Sequence, residues 1–174
     1  VLPSIGVLYS VNDKLSLLTG AYNGFGTPTT TSGVEEEQAL NVELGGRYQQ
    51  ADLMIELIAF TSDYENLVGE CTASSSTSDC DIGDQFNGGE ATVRGLEFQL
   101  TNNYQLTDNT AMPVSIAYTY TDAAFDSTFD GEFFGDVSKG DPIPYIPKAQ
   151  VALALGLEYG PYRVNANLNY VDAV

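Results

Sequence analysis

Histidine is absent from this 174-residue chain, and its absence removes most of the nucleophilic chemistry a small domain can perform. Ser/His and Cys/His pairs need an imidazole to take the proton from the attacking group. Two cysteines remain, Cys71 and Cys80, in a stretch rich in Ser, Thr and Asp. They are spaced too widely for C-x-x-C redox chemistry and supply too few ligands for a zinc site. A local disulfide in an oxidising compartment is the natural reading, a loop staple worth about 2–3 kcal/mol. Carboxylates are the other candidates. Asp79, Asp81 and Asp84 are spaced somewhat like calcium ligands, but no Gly sits where an EF-hand loop needs it and no closing Glu follows. Glu43 and Glu97 form an imaginable acid–base pair, for which a hydrogen bond to Arg47 or another lumen partner is the expected role. No catalytic residue, cofactor or metal is expected, and the chain is not read as an enzyme.

Charge narrows the partners. The chain carries 6 Lys+Arg against 24 Asp+Glu, a net charge of -18, which argues against nucleic acid. The acid is concentrated in three segments, at Glu35, Glu36 and Glu37, then at Glu65, Glu70, Asp79, Asp81 and Asp84, then at Asp126, Asp130, Glu132, Asp136 and Asp141. These read as a solvated, anionic surface. Outside them the chain is nearly neutral, and no run approaches the eighteen or so apolar residues of a membrane helix. A membrane role must run through strands.

The clearest positioning elements lie in residues 148–172. Ala149, Val151, Leu153, Leu155, Leu157 and Tyr159 alternate with Lys148, Gln150, Ala152, Ala154, Gly156 and Glu158. After a Gly160-Pro161 turn, Tyr162, Val164, Ala166, Leu168 and Tyr170 alternate with Arg163, Asn165, Asn167 and Asn169. This is a hairpin with one apolar face ending in Tyr and one small or amide-bearing face. A soluble core would use large branched residues inside and Lys, Glu and Thr outside. An outer-membrane barrel has the pattern seen here.

The same alternation recurs through residues 4–11, 14–25, 39–49, 53–64, 90–104 and 110–125. Residues 53–64 are apolar on both faces, with Met54, Ile58 and Phe60 opposite Leu53, Ile55, Leu57 and Ala59, so the second face must meet something other than water. Short turns at 12–13, 50–52, 106–109 and 160–161 alternate with long polar intervals at 26–37, 65–89 and 123–147. All the turns therefore lie at one end and all the long loops at the other. The predicted fold is all-β, an antiparallel up-and-down meander of about eight strands belonging to a larger transmembrane β-barrel, with short periplasmic turns and long extracellular loops. A Greek-key sandwich has no reason to sort its loops this way.

Five blocks in order, Gly24-Phe25, Val42-Glu43-Leu44-Gly45, Val93-Arg94-Gly95-Leu96-Glu97, Tyr118-Thr119-Tyr120-Thr121-Asp122-Ala123 and residues 140–147, resemble the TonB-dependent outer-membrane receptors, most strongly those for ferric citrate or ferric siderophores. The resemblance spans about residues 3–173. It implies a barrel of about twenty-two strands filled by an N-terminal plug, importing iron chelates across the Gram-negative outer membrane with energy from TonB. The implied partners are outer-membrane lipid, an iron-chelate ligand, the plug domain and TonB. Residues 1–174 are then expected to be part of the C-terminal half of the barrel, without the plug, the TonB-contacting segment or the terminal strands. Glu43, Arg47, Phe60, Glu97 and Gln99 are the lumen-facing residues expected to touch ligand or plug, and the mixed inner face of residues 53–64 fits a strand leaning on that plug.

One departure stands out. A receptor for an anionic chelate should present Arg or Lys, yet only Lys139 and Lys148 lie near the long loops. Two other architectures fit parts of the pattern: a self-contained eight-stranded barrel acting as a structural protein or adhesin, and a soluble acidic β-sandwich binding carbohydrate or calcium. The chain starts without Met and ends in mid-pattern, as a piece of something longer would. Such a piece carries two unpaired edges and is expected to stay a partial barrel, close by rearrangement or pair with other copies.

Overall fold

Strong period-two alternation becomes one wide sheet. The computed structural model describes residues 2–28, 33–71, 81–131 and 135–173. Its strands, in chain order, are β1 (Ser4–Ser10), β2 (Leu15–Gly26), β3 (Glu37–Gln50), β4 (Leu53–Glu65), β5 (Val68–Glu70), β6 (Gln85–Asn87), β7 (Ala91–Thr107), β8 (Thr110–Phe125), β9 (Phe129–Gly131), β10 (Gly135–Val137), β11 (Ala149–Tyr159) and β12 (Tyr162–Val171). Eight of them form a single antiparallel sheet in the order β1-β2-β3-β4-β7-β8-β11-β12. Each long strand thus pairs with the next long strand, the up-and-down meander expected from the alternation. No described helix is long and apolar enough to cross a membrane, so any crossing is by strands.

Register aligns the apolar positions into continuous rows. Ile55 lies opposite Leu100, Leu100 opposite Ile116, Ile116 opposite Leu153 and Leu153 opposite Leu168. Large side chains on this face, such as Leu44, Leu57, Leu157 and Val164, are exposed. A belt of that size would be an aggregation hazard in water and is the natural contact surface of hydrocarbon. Tyr9, Tyr48, Tyr104, Tyr159 and Tyr162 edge it near the short turns, and Tyr118, Tyr120 and Tyr170 edge it towards the long connections. From Tyr162 to Tyr170 the strand rises about 26 Å, close to the roughly 25 Å band of such barrels before tilt is counted.

The long connections are more ordered than their composition suggests. Residues 65–89 and 123–147, read as loops, contain the hairpins β5/β6 and β9/β10. Three-residue strands are too short for periodicity to reveal. Ala91, Phe125 and Val137 are buried there, with Tyr64, Leu67, Phe129 and Ile143 packed around them. Phe125 meets Phe129 edge-on, with ring centroids 5.5 Å apart. Side chains lock neighbouring connections together: Glu37 accepts from the Val68 N–H at 2.9 Å, Asn87 accepts from the Glu35 N–H at 2.8 Å, and Ser127 Oγ accepts from the Glu90 N–H at 3.0 Å.

The sheet is open. β1 pairs only with β2 and β12 only with β11 among the described residues, so within the single chain the two edges do not close on each other. A self-contained barrel would join these two edges, and a sandwich would need a second broad sheet against the first. Neither is present among the described residues.

Candidate functional site

The face opposite the apolar belt carries the polar side chains. Successive rows across it read Gly20, Glu43, Phe60, Gly95 and Thr121; then Gly45, Ile58, Glu97 and Thr119; then Arg47, Glu56, Gln99 and Ala117. All five lumen-facing residues named from sequence, Glu43, Arg47, Phe60, Glu97 and Gln99, fall in these three neighbouring rows. Strand parity puts them on one face, and the register between strands gathers them into neighbouring rows.

Two glycines shape the surface. The Phe60 ring lies over Gly95, where an added Cβ would stand 2.8 Å from its Cζ. The Glu43 carboxylate lies over Gly20 in the same way, at 2.9 Å. Both large side chains therefore lie along the wall. Between them opens a recess of about 340 Å³ lined by Tyr22, Glu43, Phe60, Ser62, Tyr64 and Glu97, together with Asn41. Ser62 Oγ donates to Asn41 Oδ1 at 2.7 Å, and Asn41 Nδ2 donates to the Tyr22 carbonyl at 3.3 Å, which fixes the polar end of the recess.

The charges sort differently from the sequence expectation. Arg47 was expected to serve Glu43 or Glu97, yet it donates to Glu56 at 2.5 Å. The cause is register: a turn at Ala51 and Asp52 sets Gln50 opposite Leu53, which puts Arg47 directly opposite Glu56. Arg163 likewise pairs with Glu158 at 2.7 Å, and Arg94, on the opposite face, pairs with Asp122 at 2.8 Å. Lys139 lies 3.9 Å from Asp126. Every arginine is thus matched to a carboxylate, while Glu43 and Glu97 have no cation partner among the described residues. The recess is aromatic, amide-bearing and net negative. It can hold a cation or a donor-rich group and is poorly suited to an anion.

Sequence reasoning missed Tyr22, Asn41, Glu56, Ser62 and Tyr64. Parity was the available signal for β4: once Phe60 faces inward, Glu56, Ser62 and Tyr64 must follow. Of the earlier cation candidates, Asp81 and Asp84 bind each other through backbone groups, the Asp81 N–H reaching Asp84 Oδ2 at 3.2 Å, and Asp79 lies outside the described residues. Cys71 is buried at the end of β5, and Cys80 also lies outside the described residues.

The sorted turns, the lipid-type belt and the polar inner wall are the architecture of an outer-membrane barrel. The chain matches the family described as TonB dependent receptor-like, beta-barrel, over residues 1–173. It belongs to that family. TonB-dependent receptors are transporters of the Gram-negative outer membrane rather than enzymes. The fold is similar to the alcaligin outer membrane receptor FauA from Bordetella pertussis, with a TM-score of 0.66 and 16% identity, the match covering 98% of this chain and 29% of that one. It is also similar to the FrpB iron transporter from Neisseria meningitidis (F3-3 variant), with a TM-score of 0.63 and 14% identity, covering 98% and 26%. The chain therefore spans under a third of the length of either receptor.

Proposed function

We propose that this segment is part of the C-terminal half of the barrel of a receptor that imports a ferric chelate with TonB-coupled energy, and that its inner wall seats the plug domain. The observation that carries the proposal is the pair of inward carboxylates without a cation partner among the described residues, Glu43 and Glu97, beside the half-buried Phe60. A carboxylate facing a filled lumen needs a cation to offset its desolvation, and basic side chains of a plug supply one. The mixed surface of Met54, Ile58 and Phe60 supports the same occupant, since it would otherwise face water. An alcaligin receptor and an iron transporter among the similar structures favour an iron chelate as cargo. With its arginines already paired, this wall is not the part that grips an anionic chelate.

The test is radio-iron uptake by the full receptor in a receptor-deficient strain grown without iron. Uptake of a ferric chelate should vanish when TonB is deleted. Glu43→Gln combined with Glu97→Gln should reduce it about tenfold, roughly 1.4 kcal/mol and within the worth of one charge-assisted contact. Uptake indifferent to TonB would refute the transport proposal, whereas full uptake by the double variant would refute only the role given to the two carboxylates.

We also propose that Cys71 pairs with Cys80. Closing so short a ring stabilises the β5/β6 hairpin region by about 2–3 kcal/mol. Cys71→Ser with Cys80→Ser should accelerate proteolytic nicking between β5 and β6 severalfold while the barrel band persists. Two free thiols titrated in the oxidised, unfolded protein would end this idea.

A further inference from the structure

We propose that the connections at the loop end of β3, β4, β7 and β8 form one cooperative roof that overhangs the inner wall and opens as a unit, with Asn87 as its latch. The direction of the overhang follows from parity. Tyr64, Ala91 and Phe125 share the last inward row of their strands, and Glu37 faces the same way at the start of β3. What packs on them or bonds to them is Leu67, Val68, Phe129, Val137 and Ile143, all from the connections. β5/β6 and β9/β10 are therefore turned in over the lumen and not out over lipid.

One side chain ties three backbone segments. Asn87 Oδ1 accepts from the Glu35 N–H at 2.8 Å, while its Nδ2 donates to the Glu35 carbonyl at 3.0 Å and to the Asn66 carbonyl at 3.2 Å. The two contacts with Glu35 copy a bridge between strands, joining the chain before β3 to β6 across 52 residues. Asn66 holds a φ of 54°, a left-handed conformation that asparagine tolerates, and this turns the chain inward at the end of β4. The turn delivers Leu67, whose N–H donates to the Gly89 carbonyl at 2.8 Å and whose carbonyl accepts from the Gly88 N–H at 2.6 Å. Leu67 then packs on the cluster of Ala91, Phe125 and Val137. On the far side the Phe125 N–H donates to the Asp141 carbonyl at 2.9 Å, and the Gly140 N–H to the Phe125 carbonyl at 2.8 Å. Contacts thus run without a gap from Glu35 to Gly140. Lifting one connection strands the Asn87 amide or exposes Phe125, so the segments lose their partners together. Tyr64 packs on the cluster and also lines the inner-wall recess, so the roof fixes the loop-side end of that recess.

The proposal is independent of the cargo, and its test does not use transport. Hydrogen exchange is followed residue by residue on the full receptor in detergent. In wild type the Glu35, Val68, Phe125 and Gly140 amides should share one protection factor to within about threefold, because a single opening exposes all four. Asn87→Ala should speed exchange about tenfold at Phe125 and Gly140, which Asn87 does not bond, the scale of its lost hydrogen bonds. Phe125→Leu should do the same at Glu35 and Val68, while the middles of β4 and β7 stay unchanged in both variants. A wider spread in wild type, or a variant that loosens only its own side, overturns the single roof. The wild-type comparison decides the matter even if a variant fails to fold.

Discussion

Arginine at Leu153 is expected to destabilise the folded receptor by about 2–4 kcal/mol, while arginine at Ala152, the next residue, costs less than about 1 kcal/mol. Leu153 sits in the middle of the apolar belt, between Ile116 and Leu168. A guanidinium there must be dragged through hydrocarbon or pull water in after it, and the aromatic edges are too far for it to reach. Ala152 points the other way, between Ala117 and Asn169 in the row that holds Gln99 and Glu56. A new cation on that wall lies beside the Asn169 amide and has no hydrocarbon to cross. Urea unfolding of the two variants in lipid vesicles, read by heat-modifiable mobility, separates the cases. Equal costs at the two sites would mean that the sheet has been turned inside out.

Valine at Gly95 is the second large effect, expected to cost about 3 kcal/mol or to block assembly outright. A Cβ on Gly95 would stand 2.8 Å from Phe60 Cζ and closer still to the Tyr120 carbonyl oxygen, an atom of the sheet's own backbone. The ring can swing away; the carbonyl cannot move without disturbing the pairing of β7 with β8. Adding Phe60→Ala to Gly95→Val should therefore recover only part of the loss, a non-additivity read directly from a double-mutant cycle. Full recovery would assign the whole clash to the ring. No recovery would assign it to the backbone alone and would remove Phe60 from the account of why glycine stands here.

Much of this molecule was legible because a strand has the simplest period in protein structure. Side chains alternate, so once Val151, Leu153 and Leu155 face lipid, Gln150, Ala152 and Ala154 face the lumen. The same parity put Glu43, Phe60 and Glu97 on one wall before any pairing was known. What parity does not contain is which residue stands across from which. Arg47 and Glu56 meet because the turn after β3 takes two residues, Ala51 and Asp52, with Ala51 at a φ of 49°. Read as the three residues 50–52, the same turn slips the register and hides the pair. Tyr64 and Ser62 share the inward parity of Phe60, but that they line one recess with Tyr22 and Asn41 depends on the pairing of β3 with β2 and β4.

The loop end marks the other boundary. The turns of this chain are short and their composition announces them, but β5, β6, β9 and β10 are held by contacts between segments far apart in sequence. Phe125 is buried because Val137, Leu67 and Ile143 are brought to it. Asn87 is satisfied because Glu35 lies beside it, on the other side of β3 and β4. Local sequence determined the strands, their inward and outward faces, the sorting of turns from loops and, through its receptor-like blocks, the family, since each rests on period, composition or short contiguous motifs. Only the tertiary structure decided that the arginines are matched to Glu56, Asp122 and Glu158, leaving Glu43 and Glu97 unmatched. An ion pair depends on register between strands, and register is set by turns and by the whole sheet at once.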